Sequence, residues 1–419
     1  MTRPRQRGPL ALSVAAVLVM TGCGASEPEP VRDPYPVNDA LPVVDTPGMR
    51  LPTSFEELEV VDPGWDTAAQ YAEGVYVAAD ERDGVLEFTA VDVHGEVLWA
   101  AQRPASCTGF AVTMDAHGRA LAILGDLETT ADALAATTAA AYDLTTGEHV
   151  WGPVEVPGPY QGPGLVFAAP PESYMGQTGP RVALDPTTGE VAATESGSEG
   201  LRIIGEYQGI VLVTHEDALI ARNTTDGGEL WRTPLAEHGW TAASISAALR
   251  PAPADGLALI STSDTAGALI DLHQGVVLND TARDAAVDPT TGTLVILDAA
   301  GLHAYDANNQ SLWSLSVDDQ TTIAAIGGVF LYLREGGAIR VHNVITGDVA
   351  QAYEPDGRGP IIVPSHISIN GAAVLLDGNR RLLATISEQA SWTRRAAHEA
   401  GNERHAMTSP AVSHVDSTR

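Results

Sequence analysis

The 419-residue sequence contains no lysine; all 23 of its basic residues are arginines. A phosphate-binding Gly-Lys loop is thereby excluded. An alanine- and arginine-rich vocabulary without lysine points to a GC-rich coding sequence rather than to any chemistry. Bases are also few: 54 acids leave a net charge of −31. Such a chain repels phosphate backbones, so nucleic acid is not an expected partner. The acids are spread along the chain, as on a self-repelling surface that keeps a protein soluble and monomeric. Cysteine is scarcer still. Cys23 and Cys107 are the only two, too few for a disulfide framework, and a chain of this length must rely on its core. Cys107, in PASCTGFAV, has no base nearby and reads as a small packed residue rather than a nucleophile. None of the 12 histidines falls in a metal-ligating spacing; His398 and His405 lie seven apart near the end. No Gly-x-Ser-x-Gly elbow is present.

The first residues have a pattern of their own. Arg3, Arg5 and Arg7 precede an apolar run, Pro9–Met20, that is too short to anchor stably across a bilayer. Met20-Thr21-Gly22-Cys23 follows. Small residues before a cysteine, directly after an apolar core, resemble a bacterial lipobox, with methionine where leucine is usual. The resemblance implies a signal peptide over residues 1–22, acylation of Cys23, and a mature protein held by that lipid to the outer face of the cell membrane. Residues 23–48 are rich in proline and acids and read as an extended tether. Residues 49–390 read as the folded domain, and residues 391–419, with few large apolar residues, as a mobile tail.

Within the folded domain one short pattern recurs. It reads DVHGEVLW from Asp92, DLTTGEHVW from Asp143, DPTTGEVAA from Asp185, NTTDGGELW from Asn223, DANNQSLW from Asp306 and NVITGDVAQ from Asn343. DLHQGVVL, from Asp271, is a worn copy, and an eighth unit ends near Ser387. Each copy follows two β-like runs, and the anchors are 35 to 51 residues apart. DPTTG at 288–292 lies between the first two runs of its unit and is not an anchor. A period near 40 with several short apolar strands is that of a propeller. Eight four-stranded blades are expected, with seven as the alternative. The last unit lacks its outer strand, so a strand from Arg50–Val61 is expected to close the ring.

The repeats resemble the pyrroloquinoline-quinone-like β-propeller repeat, in which a strand ending in Ala-Leu-Asp leads through a Thr-Gly turn to a strand ending in Trp. VALDPTTGEV at 182–191 and AAYDLTTGEHVW at 140–151 carry the likeness, which extends over roughly residues 60–388. That family includes quinone-dependent dehydrogenases and non-catalytic envelope lipoproteins, and fold alone does not choose between them. A quinone enzyme would need calcium or a lanthanide and a catalytic aspartate, and many carry an adjacent-cysteine disulfide. This chain has no Cys-Cys pair, so no cofactor is expected; quinone and calcium enter only through the resemblance, as the alternative reading of an enzyme working in the propeller funnel.

Asp143, Gly147 and Trp151 therefore read as structure. The carboxylate caps a turn, the glycine supplies a positive φ, and the indole covers a neighbouring blade. The same reading applies to Asp92 and Trp99, Asp185 and Gly189, Asn223 and Trp231, Asp306 and Trp313, and Asn343 and Gly347. A site is normally unique, whereas these features repeat. The variable segments are GDLETTADALAATTAA (125–140), PPESYMGQTGP (170–180), GPVEVPGPYQGPG (152–164) and PLAEHGWTAAS (234–244). All are expected on the rim opposite the Asp-Thr-Thr-Gly turns. Loops on a rigid scaffold are where binding is usually placed, and Tyr160, Tyr174, His238 and Trp240 are the aromatic candidates. The expected role is a binding or scaffold module at the cell envelope, with an envelope protein or glycan as partner.

Overall fold

The computed structural model describes residues 30–37, 39–82, 84–105, 109–128, 136–170, 179–248, 252–263 and 265–387. The expected signal peptide, Cys23, Cys107, Tyr174 and the expected tail lie outside the described residues. Eight antiparallel sheets follow one another around a ring, seven with their strands in sequence order and the eighth completed by a strand from the start of the domain. Blade 1 contains Gln70–Ala72, Val75–Arg82, Val85–Asp92 and Val97–Pro104. Blade 2 begins at Phe110–Met114, blade 4 at Arg202–Tyr207, blade 5 at Ser246–Ala247, blade 6 at Asp284–Val287, blade 7 at Thr322–Gly327 and blade 8 at Val363–Ile367. Two blades keep the four-strand plan only in outline. The inner strand of blade 3 is reduced to a bridge between Tyr160 and Phe167, and the outer strand of blade 7 to one between His342 and Val349.

Ring closure comes from Glu59–Trp65, which pairs with Arg380–Thr385 as the outer strand of blade 8. The expected window overlaps only the start of this strand. Val60, Val61 and Trp65 are buried, so closure is also a packing event. Leu382, Leu383 and Ala384 of the strand beneath are fully buried.

Because strands alternate in direction, the turns between first and second strands and between third and fourth strands lie on one rim, here the turn rim. Hairpins between second and third strands and the links between blades lie on the other, the link rim. DPTTG at 288–292 joins Asp284–Val287 to Leu294–Asp298, the first two strands of blade 6. It is a turn of the other type, as its position in the repeat requires.

The anchors work alike from blade to blade. Asp143 Oδ1 accepts from the N–H groups of Thr145 and Thr146 at 3.1 and 2.9 Å. Asn223, Asp271, Asp306 and Asn343 accept backbone N–H groups of their own turns in the same way. Four tryptophans then sew blades together. Trp99 Nε1 donates to the Leu144 carbonyl, Trp151 to Pro186, Trp231 to Leu272 and Trp313 to Val344, at 2.5 to 2.9 Å. Each acceptor is the residue following the anchor of the next blade. The turn glycine is required there twice over. Gly189 has φ +74°, and a Cβ on it would sit 2.5 Å from Trp151. Blade 3 has no tryptophan for this purpose; Thr224 Oγ1 of blade 4 donates to Asp185 Oδ1 at 2.7 Å instead.

Two sequence expectations are corrected. Most of segment 125–140 is not a loop: Ala120–Glu128 and Ala136–Asp143 pair through Glu128 and Ala136, lengthening the second and third strands of blade 2. The tether does not extend freely over its whole length either. From residue 30 the chain is laid along the outside of the ring. Tyr35 exchanges backbone bonds with Ala100 on the outer strand of blade 1, at 2.8 and 2.9 Å. Val43 bridges Val61 of blade 8. Arg50 and Pro52 bridge Ile361 and Tyr353, beside blade 7. Proline blocks a regular strand but leaves isolated extended residues able to pair with an edge.

Candidate functional site

On the turn rim the anchor Asp and Asn side chains are bound within their own turns, whereas the link rim carries groups that do not repeat. Between blades 4 and 5 the link forms a short 3₁₀ turn, Leu235–His238, closed by Gly239 at φ +68°. Trp240 N–H returns to the Leu235 carbonyl at 3.0 Å. This fold-back stacks the His238 and Trp240 rings, with centroids 4.4 Å apart and planes at 23°. Both side chains are half-buried. Arg202, on the inner strand of blade 4, donates to the Ala242 carbonyl at 2.8 Å and ties the link to the scaffold. Two of the expected aromatics therefore form one platform.

Tyr160 behaves differently. It occupies the inner-strand position of blade 3, its ring 6.1 Å from Phe167 in an edge contact. Burial, with the nearby Glu206 charge, pushes its hydroxyl up to about 12. It packs into the ring instead of standing on the rim beside the His238–Trp240 pair. Glu206 is almost wholly buried. Desolvation pushes its carboxyl up to about 7, although the N–H groups of Gly209 and Leu165 oppose the shift.

A further feature of the link rim had no signal in the sequence. A cavity of about 160 Å³ is lined by Arg283, Asp284, Leu297, Asp319, Gln320, Thr321 and Thr322, between blades 6 and 7. Arg283 spans it, donating to the Asp319 carbonyl at 2.8 Å and the Asp298 carbonyl at 3.1 Å. Asp298 also holds Asn279 at 2.9 Å and contacts His303 at 3.2 Å. Burial raises the Asp298 carboxyl, but these partners and the Ala300 N–H outweigh it and hold it below the ordinary range. The cavity is small and polar, sized for ordered water or a very small ligand.

The axis end of the 8–1 closure carries a third cluster. His366 Nδ1 lies 3.2 Å from the Tyr76 hydroxyl, and its ring is 4.7 Å from that of Tyr71. Burial lowers His366 to about 4, so it is neutral and packs as an aromatic. Among the described residues, no group of three or more His, Cys, Asp or Glu side chains could hold a metal ion.

A search of the curated proteins finds no match. A chain of a solved structure titled Crystal Structure of Mitotic Checkpoint Complex superposes with a TM-score of 0.38 at 11% identity, covering 84% of this chain and 98% of that one. The PQQ_2 family model, described as outer membrane protein assembly factor BamB, matches residues 178–413, more than half of the sequence. The chain belongs to this family of PQQ-like β-propellers.

Proposed function

We propose that the protein is a lipid-anchored, extracytoplasmic scaffold that holds a partner protein at the cell envelope through its link rim. The observation carrying this reading is the asymmetry between the rims. The recurrent Asp, Thr, Gly and Trp groups are consumed in closing turns and joining blades, whereas the link rim presents a stacked His238–Trp240 pair on a rigid ring. The family's description as an assembly factor of the outer membrane supports a protein partner at the envelope. The Arg3–Cys23 pattern supports export and acylation. Rigid propellers bind through unlike loops on a common frame, and half-buried aromatics make efficient anchors.

Two measurements test the reading. Cys23→Ala shifts the protein from the membrane fraction to the soluble one; unchanged retention refutes the anchor. A photo-crosslinker at Trp240 captures a discrete protein in intact cells, and Glu96, on the turn rim, serves as control. Equal capture from both positions refutes the link-rim assignment. Turnover of an alcohol or sugar after reconstitution with pyrroloquinoline quinone and calcium would overturn the scaffold reading itself.

A further inference from the structure

We infer that the lipidated protein is held with the outer edges of blades 1 and 2 toward the bilayer and those of blades 4 to 6 away from it. The inference rests on the Cys23 anchor proposed above and adds an orientation, which that reading does not contain.

The argument is one of length. If all of residues 23–48 were free, the leash would exceed the body it holds and would permit any orientation. The structure shortens the leash. Val31 N–H donates to Gln102 Oε1 at 3.2 Å, and Gln102 N–H donates to the Val31 carbonyl at 2.7 Å. Arg32 pairs with Asp126 of blade 2. Buried Arg103 donates to the Arg32 carbonyl. Tyr142 of blade 2 donates to Asp33 at 3.2 Å. These contacts seat the segment on the junction of blades 1 and 2. Only seven residue steps separate Cys23 from Pro30, a reach of at most about 25 Å. A body of this chain length is on the order of 50 Å across. Blade 5 stands opposite blade 1 in an eight-membered ring. Turning blade 5 to the membrane would carry residue 30 farther from the bilayer than the leash can span.

The orientation has a consequence for docking. Among the described residues, the segment from 30 to 58 pairs along outer edges of blades 1, 8 and 7 and not along those of blades 4, 5 and 6. Leu230, Val276 and Leu312 are exposed on these edges at 47%, 48% and 40%. The held orientation points these edges away from the lipid.

The test uses the full-length lipidated protein in phosphatidylcholine–phosphatidylglycerol vesicles that carry a fluorescent acceptor lipid. A donor dye is placed by Glu155→Cys on blade 2 or by Asp280→Cys on blade 5, in a Cys107→Ser or Cys107→Ala background. Energy transfer to the lipid is expected to be several-fold stronger from position 155 than from 280. Inserting a long Gly/Ser stretch between Ser26 and Glu27 is expected to make the two equal. Equal transfer in the unmodified chain, stronger transfer from 280, or a difference that survives the insertion overturns the orientation while leaving the anchor intact. Failure of the lipidated protein to bind the vesicles overturns both.

Discussion

Trp151 of blade 2 donates its indole N–H to the carbonyl of Pro186 in blade 3 at 2.8 Å, and its ring fills the space a side chain on Gly189 would need. Donor, acceptor and vacancy come from two consecutive copies of one repeat. Trp151→Ala is expected to cost about 3–5 kcal/mol, whereas Trp151→Phe costs about 1 kcal/mol for the lost bond. Gly189→Ala is penalised by its left-handed backbone, about 1–2 kcal/mol, and by overpacking against the indole, about 1–3 kcal/mol. In a Trp151→Ala background only the backbone part survives. Denaturant titration of the cycle checks this; strict additivity would disprove the contact.

His366 gives the fold a pH dependence of definite sign. Its folded-state pKa, lowered to about 4 by burial, lies below the ordinary 6.5. The unfolded chain therefore takes up the proton first, and stability falls as pH drops from about 6.5 to about 4. The full effect is on the order of 3 kcal/mol. His366→Phe keeps an aromatic ring between Tyr71 and Tyr76 and is expected to flatten thermal stability across this window. A wild-type slope retained in the variant would assign the effect elsewhere.

Glu206 acts with the opposite sign. Its folded-state pKa, raised to about 7 chiefly by desolvation, makes the folded chain the better proton binder. Stability is fully present below pH 4.5 and is lost as pH rises through 7, again by about 3 kcal/mol. Glu206→Gln keeps an acceptor for the Leu165 or Gly209 N–H and removes the titration. It is expected to be more stable than the parent at pH 8 and to show no advantage at pH 4.5. A variant less stable at both values would mean that both carboxylate acceptors are needed.

The repeat was legible because its interactions are local. Asp143 reaches only as far as Thr145 and Thr146, and each turn must satisfy the same geometry, so Asp92, Asp143, Asp185, Asn223, Asp306 and Asn343 carry the same signature. The need for closure was legible from the missing outer strand of the last unit. The path of residues 30–58 was not. It binds through backbone groups, isolated bridges and scattered side-chain contacts, which leave no alternation of apolar and polar residues, and its prolines argue for an unattached chain. Segment 125–140 misled for a related reason. Its alanines and threonines resemble a loop insertion, but residues 125–128 and 136–140 continue two strands. At the link rim, the sequence supplied Tyr160, Tyr174, His238 and Trp240 as equals, of which Tyr174 lies outside the described residues. Only the fold-back at Gly239 pairs the last two, and only the degenerate inner strand of blade 3 turns Tyr160 inward. The cavity at Arg283 depends on residues from two blades with no shared pattern.

Arg103 tests how much the laid-down N-terminal segment contributes. Its side chain is 2% exposed, 3.4 Å from Asp126, and donates to the Arg32 carbonyl. Arg32, 36% exposed, pairs with the same carboxylate. Arg32→Ala is expected to cost about 1 kcal/mol or less, as an outer ion pair does. Arg103→Ala strips a buried partner and its packing together and is expected to cost about 3 kcal/mol or more. It should also expose residues 30–37 to proteolysis, a readout that Arg32→Ala moves little. Equal effects of the two substitutions would argue that the segment contributes nothing beyond surface charge.

Closure supplies the sharpest prediction. A chain beginning at residue 58 keeps Glu59–Trp65 and loses the segment along blades 1, 8 and 7; it is expected to fold cooperatively with a lower midpoint. A chain beginning at residue 66 leaves the 380–385 strand as an unpaired edge, with Leu382 and Leu383 stripped of their cover. Each uncovered large apolar side chain costs about 1.5–3 kcal/mol, and the loss of Val60, Val61 and Trp65 adds several more such contributions. Together they match the whole stability of an ordinary domain, about 5–15 kcal/mol. This chain is therefore expected to show no cooperative transition and to aggregate through its open edge. Arg380→Ala breaks the exposed pair with Asp62 on the closing strand and a longer one with Asp377 and should stay within about 1 kcal/mol of the parent. Cooperative unfolding of the chain that begins at residue 66 would show that seven blades and three strands suffice to hold the ring.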